Sequence, residues 1–123
     1  MRKLFVVAIL VVAGLVLRPL PGGAHHGWSW TTGGNIELTG IIQKVSLGMP
    51  HGLVYVDAEG ELWTVEVGQP WRNERAGLKP GDLAEGVEIR AVGEPAADVS
   101  EKRMKAERLY IGGTEYDLYP DRD

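Results

Sequence analysis

Asn35-Ile36-Glu37-Leu38-Thr39-Gly40-Ile41-Ile42-Gln43-Lys44-Val45-Ser46-Leu47 decides the fold. Ile36, Leu38 and Ile42 share one parity, with Glu37, Thr39 and Gln43 opposite. That two-residue period is the mark of a half-buried strand. The pattern slips at Gly40-Ile41-Ile42. A glycine inside such a pattern marks a bulge or a sharp bend, so a bent first strand is expected, carried on by Val45 and Leu47. Gly48-Met49-Pro50-His51-Gly52 ends it, because Pro50 has no N–H for a ladder and holds Met49 extended. Leu53 to Asp57 reads as a second strand, Glu59-Gly60 as a tight turn and Leu62 to Val67 as a third strand. In the third, Trp63, Val65 and Val67 face one way and Thr64 and Glu66 the other.

Gln69 to Ala76 follows as a short helix, with Pro70 at its first position and Gly77 at its stop. Trp71 and Leu78 are expected to tuck beneath it. Lys79-Pro80-Gly81-Asp82 is a turn. Val87, Ile89 and Ala91 alternate with Glu88, Arg90 and Val92 in a fourth strand. Glu94 to Lys102 reads as a polar loop, Lys105 to Ile111 as a fifth strand and Glu115 to Leu118 as a short last one, before a frayed tail. Three strands, a short helix and two or three more strands, the first of them bent, match a small OB-fold-like β-barrel. The chain is thus predicted to be all-β with one short helix. Another small open barrel or a sandwich is the alternative.

Outside the barrel the composition is informative. Arg2 and Lys3 precede fourteen apolar residues, Leu4 to Leu17, and small Gly22 and Ala24 follow. These are the parts of a cleaved secretory signal; the run is short of the roughly 20 residues of a membrane-spanning helix. The predicted division is a signal peptide over 1–24, a mature N-terminal segment over 25–34, the barrel over 35–118 and a tail over 119–123. The protein is expected to be periplasmic or secreted, with no membrane association after cleavage. Removing residues 1–24 leaves ten basic against seventeen acidic side chains. Nucleic-acid surfaces carry a basic excess, so nucleic acid is not an expected partner. With no cysteine, disulfides and thiolate metal centres are excluded.

Ligand chemistry gathers at the predicted mature start, Ala24-His25-His26-Gly27-Trp28-Ser29-Trp30. Cleavage after Ala24 gives His25 a free amine beside its own imidazole. With His51 they form a three-nitrogen set, with His26 as the substitute for His25. All-nitrogen, planar-leaning sets favour Cu(II); Zn(II), which accepts three imidazoles and a water, is the second choice. Cleavage one residue earlier would instead place His26 third in the chain, the spacing of an amine–amide–imidazole copper chelate. The plainer reading is chance histidines near a cleavage site, with His51 capping a turn. Glu66 is positioned to orient a ligating imidazole, or simply to face solvent. Trp28 and Trp30 share parity, suited to stacking on a ligand or to sealing the terminus onto the barrel. Met49 is read as a core filler before a Cu(I) ligand. Lys102, Arg103, Lys105 and Arg108 are read as solvated surface. No catalytic set stands out. A non-catalytic protein binding a metal ion or small ligand is expected, with a metal-free envelope accessory module as the alternative and oxidative copper chemistry as the least favoured reading.

His25-His26, Gly40-Ile41-Ile42, Met49-Pro50-His51, Trp63-Thr64-Val65-Glu66-Val67-Gly68 and Leu78-Lys79-Pro80-Gly81-Asp82 together resemble the pattern of a family. It is a family of small exported bacterial proteins classed only as a domain of unknown function, and the likeness spans about residues 24 to 113. Met49 stands where that pattern has Asn. The resemblance implies an exported barrel and singles out His25, His26, His51 and Glu66; it implies no reaction. The architecture also resembles exported bacterial OB-fold proteins that bind small or cationic ligands.

Overall fold

Six strands and one helix make up the backbone of the computed structural model, which describes residues 27–122. The strands are β1 (Ile36–Ser46), β2 (Leu53–Ala58), β3 (Glu61–Glu66), β4 (Glu88–Pro95), β5 (Arg103–Ile111) and β6 (Thr114–Asp117), with α1 (Pro70–Arg75) between β3 and β4. The sheet runs β3-β2-β1-β4-β5-β6, and a further pairing of β3 with β5 closes five of the strands into a barrel. This is the predicted OB-like barrel.

β1 serves two partners in succession. Ile36 to Ile41 pair with β4, and Ile41 to Ser46 pair with β2. The extra residue falls between Ile42 and Lys44, at Gln43, and not at Gly40 as the sequence suggested. After it the buried parity passes from Leu38 and Ile42 to Val45. Gly40 matters for a different reason. A Cβ there would lie 2.2 Å from the Asp57 carbonyl oxygen and 2.7 Å from Val56 Cγ1. Its missing side chain lets β2 approach.

The β2–β3 turn puts Glu59 at φ 53° and Gly60 at φ 83°, two positive values in the manner of a tight hairpin turn. Asp57 Oδ1 accepts the Gly60 N–H at 3.0 Å. α1 begins at Pro70, as expected from its preset φ, and is anchored by buried Asn73. That side chain accepts from the Gly68 N–H and donates to the Gly68 carbonyl, both at 2.9 Å. Leu78 is buried, but Trp71 is 49 % exposed. Rather than tucking under the helix, its ring has the guanidinium groups of Arg72 and Arg75 4.6 and 5.1 Å from its centre.

The closing seam is short. Thr64, Val65 and Glu66 pair in parallel with Arg103, Met104 and Lys105. Val65 and Met104 point into the core with Ile42, Val54, Val56, Ala106 and Leu109. Glu66 and Lys105 stand directly opposite one another on the other face.

Two sequence expectations change here, and a second bulge is added. β4 runs on to Pro95 and buries Glu94, so the polar loop starts later. The end of the chain is packed: Leu118 is fully buried, and the backbone N–H groups of Leu118 and Tyr119 donate to the Glu107 carbonyl. Glu107 itself is the extra residue of a second bulge, where the β4–β5 register shifts.

Candidate functional site

The outer face of the β3–β5 seam would be solvent in a bare barrel. In this chain residues 28–32 and 119–122 cover it. From the N-terminal side, Thr31 bridges to Ala96, the Ala97 N–H donates to the Trp30 carbonyl, and the Thr32 N–H donates to the Pro95 carbonyl. From the C-terminal side, Tyr119 meets Trp28 edge-on at 5.1 Å.

Beneath them lies an ionic cluster. Lys105 is 1 % exposed and donates to Glu66 Oε2 at 2.8 Å; Arg103 donates to Glu66 Oε1 at 3.1 Å. His51 Nδ1 stands 3.7 Å from Glu66 Oε2, with its side chain 29 % exposed. Glu66 thus has the outward parity expected of it and none of the solvent. Burying a carboxylate is costly unless charge and hydrogen bonds compensate, and Lys105 and Arg103 supply both. The basic stretch read as solvated surface therefore contains the most deeply buried cation among the described residues.

A second buried group adjoins the first. Glu94 Oε2 accepts from Arg122 at 2.5 Å, and its Oε1 lies 2.5 Å from Thr31 Oγ1 and 3.0 Å from the Gly33 nitrogen. Burial alone would raise the Glu94 pKa. The Thr31 hydroxyl, Arg122 and the Gly33 N–H outweigh it and hold the carboxyl below its ordinary value. Glu107, also buried, accepts from the Asn35 amide at 3.2 Å and has Arg122 Nε at 3.5 Å.

The two tryptophans join these groups to the N-terminal segment. Arg122 lies 3.9 Å from the centre of the Trp28 ring and Lys105 5.0 Å from it; Arg103 lies 3.9 Å from the centre of Trp30. Cations over an aromatic face are attracted by its quadrupole. Both rings are half-buried, and what they stack on is the chain's own cations. Gly27 is at the same place: a Cβ built on it would be 3.5 Å from Lys105 Nζ.

Of the residues singled out in the sequence, the fold brings His51, Glu66, Trp28 and Trp30 to one face. His25 and His26 lie outside the described residues. Met49, at 71 % exposure, fills no core gap. Among the described residues, no three His, Asp or Glu side chains converge to hold a metal ion. Sequence reasoning missed Lys105, Arg103, Arg122, Glu94 and Glu107. The signal for Lys105 was a lysine between Met104 and Ala106, which alone suggests an outward position.

The model of a family of unknown function, DUF6152, matches residues 14–105. No curated protein matches the chain. Among solved structures it is similar to the ZRD-deleted mutant of TiaS in complex with agmatine, at 14 % identity over 72 % of this chain and 27 % of that one, TM-score 0.53. It is also similar to the Stn1–Ten1 complex of S. pombe, at 15 % identity over 63 % and 57 %, TM-score 0.51. The chain spans about a quarter of the first and somewhat over half of the second. At such identities the likeness concerns the fold alone.

Proposed function

Since the chain belongs to DUF6152, a family of unknown function that hands down no reaction, we propose its role from its own chemistry: an exported, non-catalytic binding protein that holds a metal ion between its processed N-terminus and His51. Cu(II) is the first choice and Zn(II) the second.

One observation carries this reading. The segment that follows His25-His26 docks on the face that bears His51. From the Cβ position of Gly27 the path to His51 Nδ1 runs through Lys105 Nζ and Glu66 Oε2, in steps of 3.5, 2.8 and 3.7 Å. Two residues of extended chain reach about 7 Å, and the length of a histidine side chain added to that is enough to span a path of these steps. The amine and imidazole of His25, with one His51 nitrogen, make the three-nitrogen set that suits Cu(II). Glu66 Oε2 faces Nδ1 of His51 at 3.7 Å, the side from which a carboxylate orients a ligating imidazole.

The protein recovered from the cell envelope, its first residue established by intact mass, is titrated with Cu(II) and followed by calorimetry and electron paramagnetic resonance. Chains starting at His25 should bind one ion, and His25→Ala and His51→Ala should each weaken binding by at least ~10-fold. Affinity should fall below about pH 6, where imidazoles protonate. Equal, weak binding by all three proteins would end the proposal.

A metal-free ligand-binding module is the second reading. An apolar groove beside α1 favours it, and under that reading chelators leave both stability and ligand capture unchanged.

A further inference from the structure

The two segments that cover the seam are not held by the hydrophobic core. Its buried residues run from Leu38 to Leu118, with Tyr119 packed at the edge, and every residue of 27–35 and 119–122 is half-buried or exposed. What the two segments share is one carboxylate. Glu94, 3 % exposed on β4, turns one oxygen to each of them. Oε1 accepts from the Thr31 hydroxyl at 2.5 Å and from the Gly33 N–H at 3.0 Å, and Oε2 accepts from Arg122 at 2.5 Å. Arg122 links the segments a second time, since its guanidinium lies 3.9 Å from the centre of the Trp28 ring.

The surrounding charges make Arg122 hard to replace. Lys105, the register partner of Glu94 on β5, is bonded to Glu66 at 2.8 Å. Glu107, also on β5 and 2 % exposed, draws on Arg122 as well, with Nε at 3.5 Å from Oε2. Its other partners are the Asn35 amide at 3.2 Å and Arg108 at 3.9 Å. From the tail, Asp121 lines the same cavity as Glu94 and Glu107 and adds a third carboxylate. One tail cation therefore serves two buried carboxylates, and a buried carboxylate that loses its cation is costly to keep charged.

We infer that Glu94 and Arg122 form an acid-sensitive clasp: it fastens residues 28–33 and 119–122 over the β3–β5 seam as one unit, and protonating Glu94 frees them together while the barrel stays closed. Closure of the barrel does not need them, because it consists of the β3–β5 ladder and the core beneath it. Opening bares the outer face that carries Glu66 and Lys105. The direction of the pH response follows from the depressed pKa of Glu94: the charged form favours the closed state. The clasp is at full strength above about pH 5 and weakens as pH falls below 4.5, the ordinary value of the group.

Amide hydrogen exchange followed by NMR, with a chelator present so that the proposed metal site plays no part, tests the clasp. Thr32 N–H, bonded to the Pro95 carbonyl, and Ala97 N–H, bonded to the Trp30 carbonyl, report on the N-terminal segment. Tyr119 N–H reports on the tail, and Ile42 and Val67 N–H report on the barrel. Protection of Thr32, Ala97 and Tyr119 should be constant from pH 7 to 5 and fall together, at least ~10-fold, by about pH 3.5, with Ile42 and Val67 still protected. Arg122→Ala, at a side chain one-third open to solvent, should lower Thr32 and Ala97 protection ~10-fold at pH 7, and Arg122→Lys should restore part of it. Glu94→Gln should loosen both segments and abolish their pH response. Three results would each overturn the clasp: barrel amides losing protection in step with the two segments, an Arg122→Ala tail that loosens without Thr32 and Ala97, or a pH response that survives in Glu94→Gln.

Discussion

Replacing Lys105 by Met tests whether the seam is held by its buried ion pair. Methionine keeps the apolar stem of lysine and removes only the charge. What is lost is the 2.8 Å bond to Glu66 Oε2 and the attraction to the Trp28 and Tyr119 rings, at 5.0 and 5.6 Å. What is left is Glu66, 5 % exposed and still bonded through Oε1 to Arg103. Removing one partner of a buried pair costs about 3–5 kcal/mol when the other is stranded. Arg103 spares half of the carboxylate, so the low end applies, about 3 kcal/mol. For a domain of this size each 1 kcal/mol moves Tm by about 4–8 °C, and the expected drop is roughly 12–24 °C. Urea unfolding should show the same loss as a lower midpoint at unchanged slope. Glu66→Gln completes a double-mutant cycle: with both charges gone, the double variant should be at least ~1.5 kcal/mol more stable than additivity allows. A loss under ~1 kcal/mol for Lys105→Met, or additivity within ~0.5 kcal/mol, would refute the view that this pair is a coupled, buried unit.

Gly40→Ala places a methyl 2.2 Å from a main-chain oxygen of β2. Backbone cannot swing aside as a side chain can, so about 2–3 kcal/mol should be lost; Gly48→Ala, with nothing within 4 Å of its Cβ position, is the control and should stay within ~0.5 kcal/mol of wild type. A wild-type urea midpoint for Gly40→Ala would mean that β1 and β2 have slack there. For Glu94 the sign follows from its depressed pKa. The folded chain takes up that proton less readily than the unfolded chain, whose group titrates near 4.5. Its stabilisation is therefore full above that value and shrinks as pH falls through the lower folded value. The stability gap between wild type and Glu94→Gln should be constant above about pH 5 and close below 4.5; a gap that ignores pH would contradict the assignment of Arg122, Thr31 and Gly33 as its stabilising partners.

The barrel was legible because its information is local. A two-residue period, Pro50, Pro70 and the Gly-bearing turns each act within a few residues, and together they specify the strands, the helix and their order. The bulge was misplaced for a physical reason. Gly40 does announce a backbone constraint, but the constraint is the approach of Asp57 from another strand. Gln43, the residue actually inserted, carries no side-chain preference that would mark it. Glu66 and Lys105 show the limit more sharply. Parity correctly put Glu66 on the outer face, but no local rule says whether an outer face is wet. That depends on where residues 27–32 and 119–122 come to rest, segments far from one another in sequence and, on the N-terminal side, far from the seam. Two tryptophans close to one terminus signalled a need for cover. Their cationic partners, scattered from Arg103 to Arg122, did not.

That placement also constrains how function can be probed. Glu66 and Lys105 are a pair in the three-residue ladder that closes the barrel, and they are also the residues between Gly27 and His51. A substitution at either one weakens the closure on which the N-terminal segment docks, so loss of a ligand in those variants would say nothing about ligation, whereas a gain would. His51 lies on the loop between β1 and β2, outside that ladder, and its ring is partly open to solvent. Its place outside the three-residue ladder makes it the better position at which to test ligation. The positive charge of Lys105 sharpens the contrast. It opposes a dication nearby, so if a metal ion does bind at His51, Lys105→Met should lower stability while raising the affinity of whatever fraction remains folded. A structural lysine in a site without metal would produce only the first of these effects.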